Sequence, residues 1–415
     1  MNRAPALLGA VVLVLAMPLG TRGARAGTEE FSTFDVEQQE EDDESLLDHL
    51  LSRPPRAWRA EWEHAAQGFR TEQGCLTSGQ WLIHSDLKLE TPLGARARFG
   101  LKLRQYEDDA ASFNYVDFTF RFPTRFGTVG GLFRPLYDKS RQDFAVTWET
   151  GADSSALQIQ AVFALEDMFN NLWEFRQSRV GNRSEPYLQH PYEPALRVAS
   201  RHANWRAEVE GKYLTPSRRR IPGVNDIDPV RFTTLWGALG QALLEARALG
   251  LEWELRGGNQ QAFSTDAIEG APFGDAGDYR RSWSAETAVR RDVLEGLTAE
   301  LRYLYQDRTQ QYAPPAGPAA FRALDRLLEA ELEWRARPTL TARFGGLYDR
   351  ILVAQSGLRF AQSYGTRNES RGYIGLALRF GRVSVSGIEG IELDPEPYQV
   401  WFVHDKGFLQ LQALF

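Results

Sequence analysis

The sequence predicts an all-β chain: a transmembrane, up-and-down antiparallel β-barrel of about 18 strands, with 16 acceptable. Three observations carry that expectation. Apolar and polar residues alternate with a period of two along most of the 415 residues, the connections between alternating stretches are short and long in turn, and the chain opens on an export signal. Period two marks strands, because successive side chains point to opposite faces of a sheet.

The opening segment reads as a signal peptide over 1–26. Arg3 supplies a basic start, ALLGAVVLVLAMPLG (6–20) an apolar run, and Ala24-Arg25-Ala26 a small-residue cleavage site. No later stretch approaches the roughly 18 uninterrupted apolar residues of a spanning helix. Residues 27–56 are expected to be an acidic, mostly disordered segment. Glu29, Glu30, Asp35, Glu37, Glu40 to Glu44 (with Asp42 and Asp43) and Asp48 face no Lys or Arg before residue 50. ESLLDHLLSR could form one short helix, stopped by Pro54 and Pro55. The formal net charge of −7 belongs to residues 1–50, and the rest of the chain from 51 to 415 is balanced. A basic nucleic-acid-binding surface is therefore not indicated. A single cysteine, Cys75, excludes an intramolecular disulfide and zinc patterns of CxxC type.

The body begins its alternation in GARARFGLKLRQY (94–106), where Ala97, Phe99, Leu101 and Leu103 alternate with Arg96, Arg98, Lys102 and Arg104. Leu157 to Phe163, Trp205 to Tyr213, Leu251 to Leu255, Trp283 to Val289, Leu297 to Tyr303 and Leu328 to Trp334 repeat the pattern; a helix is a live alternative only over 323–337. Short connections fall near 92–94, 124–126, 151–154, 203–204, 248–250, 291–295, 337–339 and 381–382. Longer ones are expected at 107–112, 138–141, 166–192, 215–230, 257–279, 308–322 and 353–369. Nineteen strand starts can be marked, the first near 57 and the last two near 397 and 407. A closed single-chain barrel needs an even number, so one is surplus, and the suspect region is 382–415.

Alternation alone does not separate a barrel with lipid outside from a soluble sandwich whose apolar faces pack together. The export signal, the alternating loop lengths, the terminal Phe415 and strands approaching the roughly 9–11 residues needed to cross a bilayer at a tilt favour the barrel. The last stretch, GFLQLQALF (407–415), places Leu409, Leu411, Ala413 and Phe415 on one face and Gln410 and Gln412 on the other. It resembles the barrel-closing C-terminal strand of Gram-negative outer-membrane β-barrels of porin-like type. That resemblance implies short periplasmic turns, long external loops, an outer-membrane location, recognition by the barrel-assembly machinery through Leu409, Leu411 and Phe415, contact with outer-membrane lipid and lipopolysaccharide, and scope for a homo-oligomer.

In such a barrel Arg96, Arg98, Lys102 and Arg104 would form one lumenal row, with residues about 7 Å apart along the strand. Asp117, Arg121, Arg206, Glu208, Glu210, Arg302 and Arg335 would add mixed-charge rows. Charged rings bias ion selectivity, but the same residues could simply pair across strands and fill a polar interior. Arg218, Arg219 and Arg220 are read as a loop cluster able to meet lipopolysaccharide phosphates. No HExxH, GxSxG or phosphate-loop pattern occurs, and adjacent His84 and Ser85 would point to opposite faces, so no catalytic residue, metal or cofactor is expected. The function these readings favour is a porin-like channel for hydrophilic solutes, with the basic row preferring anions. The alternatives are a non-conducting structural or assembly barrel, its lumen blocked by paired charges or by the acidic segment, and a lipid-modifying outer-membrane enzyme.

Overall fold

The computed structural model describes residues 55, 58, 61–62, 65–75, 81–94, 97–107, 112–134, 142–150, 156–166, 187–221, 231–268, 276–313, 319–357, 360–393 and 404–415. The expected signal peptide, the acidic segment through 54, the stretch MFNNLWEFRQ (168–177) and Arg96 lie outside them.

The strands are β1 (Gln67–Cys75), β2 (Trp81–Leu93), β3 (Ala97–Glu107), β4 (Ser112–Thr124), β5 (Gly127–Phe133), β6 (Gln142–Thr150), β7 (Leu157–Glu166), β8 (Tyr187–Gln189) and β9 (Tyr192–His202). They continue as β10 (Trp205–Ile221), β11 (Arg231–Ala248), β12 (Leu251–Ile268), β13 (Ala276–Leu294), β14 (Leu297–Ala313) and β15 (Ala319–Arg337). The last are β16 (Leu340–Gly357), β17 (Phe360–Phe380), β18 (Val383–Glu392) and β19 (His404–Leu414). Apart from the short β8, each pairs antiparallel with the strand before it and the strand after it around the ring. The short β8 is an offset piece of the β9 rung, since both pair with β10 while β9 alone pairs with β7. The ring therefore has 18 rungs.

Closure runs between β1 and β19, from Gly68 opposite Leu414 to Cys75 opposite Gly407. The Phe415 amide donates to the Gln67 carbonyl at 3.1 Å, extending that seam. A closed ring leaves no unpaired edge. Leu409 and Phe415 point outward and are exposed, while Gln410 and Gln412 are buried inside, the face assignment read from GFLQLQALF.

The described short connections lie on one rim, which also carries the start of β1 and the end of β19, and 151–154 lies outside the described residues. In the two-residue connection Leu249-Gly250 both residues have positive φ, 57° and 72°, as a two-residue primed turn requires. One expectation is corrected, and two points left open are settled. The segment near 57 is not a strand: Trp58, Glu61 and Trp62 are helical and β1 starts at Gln67. Trp58, Trp62 and Ala65 repeat at helical spacing, which the strand reading overlooked. At the suspected end, β19 is the one strand after β18 among the described residues, and position 397 itself lies outside them. Finally, 323–337 is strand, within β15.

The long connections are also shorter than expected, because strands run through much of 215–230, 257–279, 308–322 and 353–369. Beyond the apolar belt both faces are polar, so the period-two signal disappears although the hydrogen-bonded ladder continues. Arg218, Arg219 and Arg220 thus belong to β10 and not to a loop.

Candidate functional site in the barrel lumen

The register decides which way each strand faces. On β2 and β3, Asp86 opposes Arg104 and Lys88 opposes Lys102, and Asp86 is only 1% exposed. Leu89 on the alternate face is exposed. The same inversion recurs around the ring. Asp117, Glu208, Glu286, Arg302, Glu329, Arg343 and Arg371 are buried, whereas Phe122, Trp148, Leu196, Leu301, Leu332, Phe344 and Leu376 are exposed. Charge is inside and apolar surface outside.

The lumenal charges are paired. Arg70 Nε donates to Asp86 Oδ2 at 2.7 Å, and Arg104 Nε lies 3.8 Å from Asp86 Oδ1. Arg98, largely exposed, reaches Glu90 Oε1 at 3.4 Å. Lys102 directly opposes Asp117, which Arg134 clamps through Nε and through Nη2 at 2.7 Å. The described members of the expected basic row, Arg98, Lys102 and Arg104, therefore lie on the inward face opposite or beside acidic residues. Arg121 and Arg335 are exposed near the turn rim.

A denser network lines β9 to β17. Arg197 and Arg206 hold Glu208 at 2.6 and 2.9 Å, Arg206 reaches Glu245 at 3.6 Å, and Lys212 lies 3.3 Å from Glu210. Farther round, Arg290 joins Glu252 at 3.5 Å and also contacts Glu300. Arg302 bridges Glu300, Glu286 at 3.0 Å and Glu329 at 3.4 Å. The Tyr373 hydroxyl sits 3.0 Å from Glu329 Oε1 and 2.7 Å from Glu331 Oε2, and Arg343 binds Glu331 at 2.5 Å. One ionic chain thus crosses from β12 to β17. A buried pair contributes little net stability compared with apolar packing, but losing one partner strands an uncompensated charge. Such a network sets conformation more than it adds energy.

The network rests on close backbone approaches. An added Cβ at Gly345 would lie 2.1 Å from the Tyr373 ring, and one at Gly74 would lie 2.3 Å from the Phe408 ring. These glycines directly oppose those aromatics in register, so each ring lies flat over a neighbouring strand, the second at the closing seam. Tyr373, Phe408, Leu304, Leu327, Leu347 and Ile388 form an apolar cluster on the lumenal wall. A second cluster of Ala145, Val162, Ala164 and Ala195 lines β6 to β9.

The helical residues before β1 sit inside the ring. Trp58 and Trp62 are buried. Gln412 Nε2 donates to the Trp58 carbonyl at 3.2 Å, Arg379 pairs with Glu61 at 2.6 Å, and the Arg70 guanidinium lies 4.9 Å from the Trp62 ring centre. Pro55 lines a small recess with Arg343, Gly375, Ser386, Ile388 and Gln410, and accepts a hydrogen bond from the Trp58 amide at 2.9 Å.

Of the expected site residues, Arg98, Lys102, Arg104, Asp117, Arg206, Glu208, Glu210 and Arg302 share the lumen. Arg218 and Arg220 instead face outward on β10, beyond the bulge between Leu214 and Ser217; Pro216 at that bulge cannot donate to the ladder. Arg218 stacks 4.7 Å from the Phe232 ring centre. Sequence reasoning missed Arg70, Asp86, Arg134, Arg343, Tyr373 and the two tryptophans. Alternation in WLIHSDLKL or LTARFGGLYDR could have placed the first residues on a face, but not beside their partners. His84 and Asp86 share a face, with Nε2 3.6 Å from Oδ1, while Ser85 bonds to Thr71. Among the described residues, no group of three or more His, Cys, Asp or Glu is placed to hold a metal ion.

No protein-family model matches the chain, and no curated protein matches it. Among solved structures it is similar to OmpT, an outer membrane protein of Vibrio cholerae, with TM-score 0.39 and 10% identity over 84% of this chain and 96% of that one. It is likewise similar to CdiB from Acinetobacter baumannii, with TM-score 0.42 and 10% identity over 84% and 60%. The match to OccAB3 of Acinetobacter baumannii has TM-score 0.41 and 9% identity over 84% and 98%.

Proposed function

We propose that this chain is a porin-like channel of a bacterial outer membrane, through which hydrophilic solutes, anions among them, pass down their gradient without any catalytic step. The observation that carries the reading is the inverted sidedness of the closed ring. A belt of exposed Leu, Phe, Trp, Tyr and Val surrounds an interior of Arg, Glu, Asp, Gln and Ser. In water such a continuous apolar belt would far exceed the few hundred Å² that soluble monomers expose. In a bilayer it meets hydrocarbon, and the paired strands satisfy their backbone polar groups against their neighbours in a closed ring. Opposed acidic and basic lumenal residues would orient polar solutes in the passage.

Single-channel recording in planar bilayers tests this. Stepwise conductance is expected, and reversing the basic row with Arg98→Glu and Arg104→Glu should move selectivity toward cations. Unchanged selectivity would make the row a structural one.

A second reading, a non-conducting structural or assembly barrel, is favoured by the segment seated in the lumen and by the pairing of the lumenal charges. Absent conductance in the full chain that Trp58→Ala with Trp62→Ala does not restore would support it. Conductance that appears only in that double variant would identify the segment as a plug within a channel.

A further inference from the structure

Like charges face each other at two levels of the lumen, with opposite sign. At the turn rim, Arg98, Arg121, Arg201, Arg247 and Arg335 lie on the inward face and are exposed. Arg98 directly opposes Arg121, and Arg201 directly opposes Arg206. The exposed acids on the described part of that rim are Asp292 and Glu295. Arg98 also reaches Glu90 at 3.4 Å and Arg247 reaches Glu252 at 2.7 Å, but ion pairs this open to water hold weakly. Farther in, on the tall side of the ring, Asp349 directly opposes Glu369, and both are buried.

The chain enters the lumen between these levels. Pro55 lies beside Gly375 and Gln410, six residues before the turn at Gly381, which is about 15 Å above the turns along the tilted wall. The contacts of Trp58, Glu61 and Trp62 with Gln412, Arg379 and Arg70 mount this entry on β17, β19 and β1. It therefore sits between Arg335 on β15 and the Arg98 and Arg121 pair on β3 and β4. Residues 27–50 precede it with ten acids and no Lys or Arg. Asp48 is seven residues from Pro55 and Glu29 twenty-six, so they reach at most about 25 and 90 Å from it. Eighteen strands about 4.8 Å apart and tilted roughly 40° make a ring roughly 35 Å across. Every arginine of the mouth is within that reach. Carboxylates placed between guanidinium forks accept charge-assisted hydrogen bonds and relieve the repulsion of like charges held opposite one another. The opposed acids farther in repel the same segment.

We infer that residues 27–50 of this chain dock on the turn-rim arginines, at Arg98, Arg121 and Arg335 beside the entry segment, and occupy the mouth as a tethered polyanion that an entering anion has to displace. The effect on passage rests on the channel reading; the docking itself does not depend on conductance.

A nitroxide on Gln39→Cys reads the docking, in full-length protein that carries Cys75→Ser and shows heat-modifiable migration in detergent. The label should move slowly at 0.05 M salt. Its freely tumbling fraction should rise at least about threefold at 1 M salt, where the screening length falls to about 3 Å. Arg98→Gln with Arg121→Gln and Arg335→Gln should release it to the same extent at low salt. Free tumbling in the parent protein at low salt overturns the docking, whether or not the barrel conducts. Slow motion that neither salt nor the triple variant releases overturns the ionic site. In planar bilayers, deleting 27–50 should raise the anion-to-cation permeability ratio at least about twofold at 0.1 M salt and leave it unchanged at 1 M. An unchanged ratio at both concentrations overturns the role at the mouth, and silence of both proteins overturns the channel reading instead.

Discussion

The ring has two unequal walls. Strands β10 to β17 run 17 to 21 residues, whereas β1 to β7 run 7 to 13, and β9, β18 and β19 run 10 or 11. Roughly 9–11 tilted residues suffice to cross a bilayer, so the short wall is about membrane height and the tall wall projects beyond it. The described turns at one rim are tight, so the extra length lies at the opposite rim. The tall wall carries the continuous ionic chain inside and the opposed Arg326 and Arg350 outside. The short wall carries isolated pairs, such as Arg70 with Asp86 and Arg134 with Asp117, and a lumenal patch of small apolar residues. Crossing hydrocarbon needs only the short wall. The tall wall adds a rigid polar surface to both sides of the barrel.

The largest expected effect breaks the tall wall's network. Arg302→Met leaves Glu286, Glu300 and Glu329 facing one another, and removing one member of a buried ionic cluster costs about 3–5 kcal/mol. The temperature at which heat-modifiable migration is lost should fall sharply. Arg98→Met on the short wall removes a single exposed contact and should cost no more than about 1 kcal/mol. Equal shifts from the two changes would remove the distinction between the walls.

Next in size is Gly345→Ala. The new Cβ collides with the Tyr373 ring, and overpacking of this kind costs about 1–3 kcal/mol. Adding Tyr373→Ala should recover part of the collision, seen as a non-additive double-mutant cycle. Strict additivity would mean that the ring does not rest on that glycine. The parallel change Gly74→Ala against Phe408 probes the closing seam in the same way, and would tell whether closure or the tall wall yields first.

The smallest effect is a gain. Leu249 has a φ of 57° and is almost wholly exposed in its turn. A left-handed conformation costs a branched or bulky L-residue roughly 1–2 kcal/mol, less for asparagine. Leu249→Asn should raise the same migration midpoint by about 1 kcal/mol in stability or less. A drop would indicate that the leucine is anchored in lipid at the turn rim.

Much of this architecture was legible in the residues. The short connections at 203–204, 248–250, 337–339 and 381–382 fall at the observed turns, because a tight turn demands local chemistry such as Gly250 or Gly381. The faces of 97–104, 205–212 and 407–415 were also readable, since alternation within one strand is a local property. The lumenal position of the Arg98 row followed once outside was taken as lipid. The tall wall's upper half was not legible. Where both faces meet polar surroundings, as in Asn259 to Thr265, periodicity carries no signal while pairing persists. The helical entry at Trp58 and Trp62 was hidden by a neighbouring pattern of strands.

By itself, then, the order of amino acids determined the strand period, the turn rim, the inverted faces and the closing segment, all of which depend on residues a few positions apart. Only the tertiary structure decided that Arg302 meets Glu286 and Glu329 from the two neighbouring strands, that Tyr373 covers Gly345, that Arg326 faces Arg350, and that Trp58 lies within the ring. Those encounters depend on register between strands and on closure of the first strand against the last. A shift of two residues in pairing keeps every face and changes every partner, so no local pattern encodes them.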